Sequence, residues 1–302
     1  MHADPIGDDP ALPAGDDEAL PTGDDGTFPT DTDLALLTGD EGLARDAPTA
    51  VVSYFVDRVD GTRTEPIADT TSVVACWGDT AVTASDPDRA AVAEDGTRAT
   101  PDTEGHHWGT VCPTDDGYRA ALLDRIETVG ASGDVRLSTV GFPDEAFCHC
   151  DRCEERFAAS GFSTWAGWRA NVVTDVVADA ATRVDGDLSV TLFPDPYPGA
   201  SRDRTGLDPA ALEPHVDGFH VPLCGDYGTP YWVRTLARGF GAELGGLEAD
   251  VSMQLSVAGS PADRLVDVTR MVAPHCDSVV YGTFPDDADT VVEVLERVES
   301  AE

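Results

Sequence analysis

The densest chemistry in this sequence is the run Cys148-His149-Cys150-Asp151-Arg152-Cys153, three thiols in a CxCxxC spacing. Thiolates this close are set up to share one soft or borderline cation at about 2.3 Å, and tetrahedral closure needs a fourth donor. Cys112, in Val111-Cys112-Pro113, is the choice: it precedes the helix leading to the strand that ends near Cys148, so adjoining loops can bring it alongside. His149, His106 and His107 are the other donors in reach. The chain has 7 cysteines, an odd number, and is too long to need disulfide staples. In a reducing cytoplasm the crowding therefore argues for metal over cross-links, with three buried free thiols as the plain alternative.

A second chemistry needs carboxyl groups in pairs. Asp144 and Glu145 directly follow a strand-like run, Asp195 lies in Phe193-Pro194-Asp195-Pro196-Tyr197, and Asp226 lies in Cys224-Gly225-Asp226-Tyr227. Asp195 and Asp226 make the best working pair, since Pro, Gly and aromatic neighbours can exclude water and raise one carboxyl pKa. In a chain with 57 acidic residues, solvated surface carboxylates are the competing explanation. Tyr54, Trp77, Trp108, Tyr197, Tyr227, Tyr231, Trp232 and Tyr281 fall at or just past strand-like runs, where their rings can stack on sugars or fill the core. Arg136, within such a run, can hydrogen-bond hydroxyls or a substrate carboxylate.

These residues must be positioned by alternating elements. Apolar runs predict strands at Ala50 to Val56, Ser72 to Trp77, Val135 to Val140, Leu188 to Phe193, Gly218 to Leu223, Val251 to Val257 and Ser278 to Phe284. Helical spacing marks Asp116 to Val129, Trp165 to Val184, Tyr231 to Phe240, Pro261 to Val272 and Ala288 to Val298. Leu34 to Leu37, or a segment between Asp79 and Trp108, supplies an eighth strand. The pattern predicts an α/β fold, a (β/α)8 TIM barrel, with room for a degenerate first βα unit. An open doubly wound sheet is disfavoured because no Gly-rich phosphate loop follows an early strand. Trp165 and Trp168 are assigned to helix–barrel packing. Residues 1–32, rich in Asp, Gly and Pro, read as a disordered acidic arm before a barrel at 33–302.

The 302 residues carry 57 acidic and 19 basic side chains, a formal charge of −38, and every basic one is Arg. Nucleic-acid binding is excluded on that balance, because phosphate contact needs a basic stripe. Acidic residues spread along the whole chain point to a halophilic protein whose carboxylates hold water and cations in molar salt. No run is apolar enough to span a membrane and no secretory signal opens the chain, so a soluble cytoplasmic location is expected. Oligomeric state is open.

The segments Cys112-Pro113-Thr114 with Tyr118-Arg119, Val135-Arg136-Leu137 through Gly141-Phe142-Pro143, and CHCDRCEERF followed by Trp168-Arg169 resemble barrel glycoside hydrolases. So do FPDPYPG from Phe193, GLDPAALEPHVDGFHVPL from Gly206 and Thr229-Pro230-Tyr231-Trp232. The likeness runs from about Ala50 to the C-terminus. It is to uncharacterised haloarchaeal-type glycosidase-like barrels and, more distantly, to family-42 β-galactosidases. It implies a structural zinc held by Cys112, Cys148, Cys150 and Cys153, a closed site without an open coordination position. It also implies a carbohydrate ligand and carboxylate acid/base hydrolysis of a glycosidic bond, with acids at the ends of the fourth and seventh strands. This chain departs at both places, with Ser138 on the fourth and Gln254 on the seventh, so Gln254 is retained as a substrate contact only. A catalytically inactive barrel that binds a saccharide or a partner is the alternative function. The tRNA-guanine transglycosylases also combine a barrel with CxCxxC. Here, however, the next His is His215, too far downstream, and the acidic surface repels tRNA.

Overall fold

The computed structural model describes residues 32–197, 199–225, 227, 231–283 and 288–299. The N-terminal arm, apart from residue 32, and Asp226 lie outside the described residues. Eight parallel strands close on themselves, each paired with its sequence neighbours and β1 paired with β8. They are β1 Asp33–Thr38, β2 Val51–Phe55, β3 Thr71–Ala75, β4 Val135–Ser138, β5 Leu188–Thr191, β6 Gly218–Pro222, β7 Asp250–Ser256 and β8 Ser278–Thr283. Leu34–Leu37 thus belongs to a full first strand, and the reduction in the first βα unit falls on its helix, α1, Glu41–Arg45. The helices that follow are α2 Thr80–Ser85, α3 Asp116–Gly130, α4 Asp151–Ser160, α5 Trp165–Ala181, α6 Ala200–Thr205, α7 Pro209–Leu212, α8 Tyr231–Leu244, α9 Ala262–Val272 and α10 Ala288–Glu299. The fold is the (β/α)8 TIM barrel.

Strand alternation divides the side chains into two sets. Outward residues such as Val74, Leu137, Val190, Phe219, Met253 and Tyr281 join the helices in one continuous apolar shell. Inward residues fill the lumen, which is chemically split. Ala35, Leu37, Val73 and Val280 form a small apolar plug with Phe55 on the β8–β3 side. The β4–β7 side is instead polar, with Arg136, Ser189, His220, Ser252 and Gln254.

Helix starts follow local chemistry. The side chains of Asp40, Asp79 and Asp115 and the hydroxyl of Thr164 accept a backbone N–H in the first turns of α1, α2, α3 and α5. Asp residues also stand at the entry of most strands. Asp134 Oδ1 accepts from Asp187 N at 3.0 Å, Asp217 Oδ2 from Leu188 N at 2.8 Å and Asp277 Oδ2 from Val251 N at 2.7 Å. These carboxylates satisfy backbone donors that the ladder leaves open at the N-terminal face. Crowding has a cost, because burial and then the charges of Asp134, Asp217 and Asp250 raise the Asp187 pKa. Among the described residues no helix is long and apolar enough to cross a membrane.

Candidate functional site

The connection from β3 to α3 is long and folds back over the C-terminal ends of the strands. Short antiparallel bridges stiffen it, Gly78 with Thr110, Ala90 with Val111 and Val92 with Arg98. It delivers His106, His107 and Trp108 to the barrel mouth and Cys112 to the loop that follows β4. The four sulfurs of Cys112, Cys148, Cys150 and Cys153 lie within 4.8 Å of one another. Cys112 Sγ is 3.7 Å from Cys150 Sγ and 3.5 Å from Cys153 Sγ. A tetrahedral thiolate shell with bonds of about 2.3 Å has edges of about 3.8 Å, so the donor set fits one ion with little movement. Three of the cysteines are buried and Cys150 is half-buried, leaving little access for substrate or water.

The surroundings of the sulfurs are polar and directed. Val92 N donates to Cys148 Sγ at 3.3 Å, and the Thr114 hydroxyl lies 3.2 Å from Cys112 Sγ and 3.1 Å from Cys153 Sγ. Arg152 Nε donates to Thr114 Oγ1 at 3.1 Å, bringing positive charge beside the cluster. The hydrogen bond from Cys148, followed by those from Cys150 and Cys153, drives the Cys112 thiol far below its ordinary pKa. Its bond to Cys112 pushes Cys153 up. His149, a donor candidate in the sequence, turns away: its Nδ1 sits 2.7 Å from Glu154 Oε1 and its ring stacks on Trp165 at 4.5 Å. His106 also goes elsewhere, with Nε2 3.8 Å from Asp144 Oδ2. The cysteine cluster therefore pins together the loops after β3 and β4.

Those same loops are two walls of a cleft of about 420 Å³ at the C-terminal ends of β4, β5 and β6. Trp108, His106 and His107 form one wall, Thr139 to Pro143 another, and Thr191 to Pro194 a third, with Pro222 at the base. Thr139 holds a left-handed conformation, φ +48°, in which its Oγ1 accepts from Gly78 N at 3.2 Å. Such backbone strain in a non-glycine residue clusters at ligand sites. Gly141 is required for a different reason, because a Cβ there would stand 2.7 Å from the Thr205 carbonyl oxygen. Arg169, from α5, fixes the wall from behind by donating to the carbonyls of Asp144, Phe147 and Asp203 at 2.8, 2.6 and 2.6 Å.

Of the carboxylates singled out from sequence, Asp144, Glu145 and Asp195 follow directly on the lining residues Pro143 and Pro194, and Asp226 lies outside the described residues. None of the cleft's described lining residues is acidic. Asp195 and Glu145 converge on one cation: Arg204 Nη1 is 3.6 Å from Asp195 Oδ2, and Arg204 Nε is 3.6 Å from Glu145 Oε2. The guanidinium also lies over the Phe193 ring at 4.5 Å. Asp144 Oδ1 is taken by Ala146 N at 2.7 Å, and Asp195 Oδ1 by Tyr197 N at 3.1 Å.

The predicted ligand contacts separate into three groups. Tyr197 and Tyr231 are exposed, at 78% and 69%, and Trp232 stacks on Tyr227 at 5.9 Å near them. Tyr54 and Trp77 are turned outward into the apolar shell, and Trp77 Nε1 donates to Val140 O at 2.7 Å, so neither reaches the mouth. Tyr281 likewise meets Thr269 of α9. Arg136 and Gln254 point into the lumen. Ser138, at the fourth-strand position, bonds to Val74 O at 3.2 Å.

Sequence reasoning missed three participants. Arg204 gave no signal beyond being one of several arginines. His220 was readable only as a lone His at an inward position of a strand. Its Nε2 lies 3.0 Å from Gln254 Oε1 and its Nδ1 2.9 Å from Ser252 Oγ, both at hydrogen-bond distance. Burial, then the nearby Arg136 charge, lowers the His220 pKa well below its usual value and keeps the ring neutral. The third, Thr139, is marked only by its backbone.

No family model matches the chain, and no curated protein matches it. Solved structures do. The glycoside hydrolase domain of PgaB (BpsB) from Bordetella bronchiseptica superposes with a TM-score of 0.68 at 10% identity, covering 89% of this chain and 97% of that one. The alpha-L-fucosidase isoenzyme 2 from Paenibacillus thiaminolyticus superposes with a TM-score of 0.59 at 11% identity, covering 89% of this chain and 49% of that one. The class these define is a fold class. The chain shares the TIM-barrel fold of the PgaB glycoside hydrolase domain and carries a four-cysteine cluster at metal-binding spacing beside its mouth.

Proposed function

We propose that the protein recognises a saccharide in the cleft between the β3 and β4 loops and the ends of β5 and β6, as a glycosidase-like barrel that binds rather than cleaves. The observation that carries this reading is the lining itself. Trp108 and Phe193 offer apolar faces for sugar rings, while Thr139, Thr191, His106 and His107 offer hydroxyl and imidazole groups for hydrogen bonds. No described lining residue is a carboxylate that could serve as acid or base. Gln254, on the strand where a nucleophile would stand, has its carbonyl oxygen committed to His220. Tyr197, Tyr231 and Trp232 are proposed as outer contacts for a longer chain of sugars. In the metal role, Cys112, Cys148, Cys150 and Cys153 hold zinc as a clip between two cleft walls. Bound there, the ion supplies four strong bonds and no chemistry on the ligand.

Titration of the intact protein in molar KCl with mono- and oligosaccharides, read by tryptophan fluorescence and calorimetry, should find a ligand whose signal is lost in Trp108→Ala. Release of chromophore from any aryl glycoside, abolished in Asp195→Asn, would replace this reading with the second one. That second reading is hydrolysis, and the shared Arg204 favours it: with its nitrogens 3.6 Å from each group, the Asp195 and Glu145 carboxylates lie no more than about 9.5 Å apart, the upper limit for an acid and a base that share one water. Asp144 and Asp226 are the reserve acids of that reading.

A further inference from the structure

The polar half of the lumen contains a charge without a counter-charge. Arg136 is buried, 8% exposed as a residue, and its Nε makes one long bond of 3.4 Å to Ser189 Oγ. Its Nη1 has no hydrogen-bond partner, and no ion pair joins it to a carboxylate among the described residues. Burial pulls its pKa down to about 10, which still leaves it charged at neutral pH. The neighbouring His220, 1% exposed, supplies no compensation, because the ring is neutral and both its nitrogens are occupied by Ser252 and Gln254. The chain carries 57 acidic residues, yet none of the described ones forms an ion pair with this buried arginine. A buried guanidinium left alone is costly, and water can meet its N–H groups but not its charge.

We propose that the lumen beneath the cleft holds a small inorganic anion, a halide such as chloride, against Arg136 Nη1. The donors around it are of the right kind. Ser189 offers a hydroxyl, and Gln254, whose oxygen is taken by His220, has only its amide N–H groups left to give. Gly282 leaves space for that amide, since a Cβ there would collide with Gln254 Nε2. The location sets the size. Thr191 and Pro222 line the cleft, and they are the next inward residues toward the mouth from Ser189 and His220 on β5 and β6. Arg136, in register with Ser189, thus lies one layer below the cleft floor and is not among its lining residues, so the proposed occupant is a single ion and not the cleft's ligand. The anion would fix the β4–β7 half of the lumen electrostatically while the β8–β3 half is fixed by apolar packing. The inference is independent of what the cleft above it binds.

Bromide-soaked crystals of the intact protein should show an anomalous peak within about 3.5 Å of Arg136 Nη1. In solution, replacing chloride by glutamate at constant ionic strength should lower Tm by roughly 5 °C, and the Arg136→Gln variant should lose that difference between the two salts. Should Arg136→Gln fail to fold, protein-dependent broadening of the chloride-35 resonance in the wild type, displaced by bromide, gives the same answer. A water molecule or a carboxylate of this chain against Nη1 in the bromide crystals overturns the proposal, as does a wild-type Tm indifferent to the halide.

Discussion

Replacing Cys112 by Ser tests the link between the cysteine cluster and the cleft. Cys112 is 38 residues from Cys150 and 41 from Cys153 in sequence, yet its sulfur touches both. An ion joining them closes a loop of that length in the folded state. By the chain-entropy relation for a cross-link, constraining a loop of about 38 residues is worth about 4 kcal/mol at 25 °C. Ser offers a harder, more weakly binding oxygen, so most of that constraint should vanish along with tight metal retention. For a barrel of this size, about 4 kcal/mol corresponds to a fall in Tm of about 10 °C. The assay is metal analysis of protein purified without added zinc, paired with thermal unfolding in molar KCl. Wild type should carry one equivalent of zinc, the variant far less, and chelator should lower the wild-type Tm to that of the variant and leave the variant unmoved. Saccharide affinity should fall as well, since Trp108 and Thr139 lie on the two walls the cluster pins. A variant with wild-type Tm and a full equivalent of zinc would refute the argument, for Cys112 would then be neither a ligand nor a clip.

The other expectations are more local. Trp108→Ala should weaken the best saccharide about tenfold, the worth of one lost aromatic stacking surface, with Tm nearly unchanged. His220 has a folded pKa lowered from 6.5, so its neutral form favours the fold above that value and the contribution is lost as pH falls below about 6.5. His220→Gln should therefore flatten the decline of Tm between about pH 6.5 and 5, and an unchanged slope would show that the ring is not excluded from charging by Arg136 and its burial. Asp187 is the opposite case. Its folded pKa is raised, so the stability it contributes is present while it is protonated, below the usual carboxylate value, and is lost as pH rises through the folded pKa. Asp187→Asn should raise stability slightly at pH 7 in dilute salt, by roughly 0.5 kcal/mol, seen as a small rise in Tm that shrinks in molar salt as the charges of Asp134, Asp217 and Asp250 are screened.

Backbone pattern was legible in the sequence because both faces of a barrel strand are covered. Seven apolar runs mark strands β2 to β8 with ends shifted by a residue or a few, and the shortest run, Leu34 to Leu37, proved to be a complete β1. Of the helices, α3, α5, α8, α9 and α10 were read, while α1, α2, α4, α6 and α7 went unread, since four of these have only four to six residues and α4, capped by Cys150, buries little beyond Cys153. The metal-type cluster was legible too: four thiols are rare enough in a chain with 7 cysteines that spacing and loop adjacency suffice to group them. The cleft was not. Aromatic residues at strand ends look alike in sequence, and one position of alternation decides whether a ring such as Tyr54 faces the helices or the lumen. Charge pairing was equally hidden. Arg204 lies nine residues beyond Asp195 in sequence but far from Glu145, and only closure of the barrel brings both carboxylates to one guanidinium. Sequence thus determined which residues form strands and which sulfurs gather, because burial and rarity are local signals. Tertiary structure alone decided the split lumen and the lining of the cleft, because those depend on strand tilt and on long-range closure that no window of residues contains.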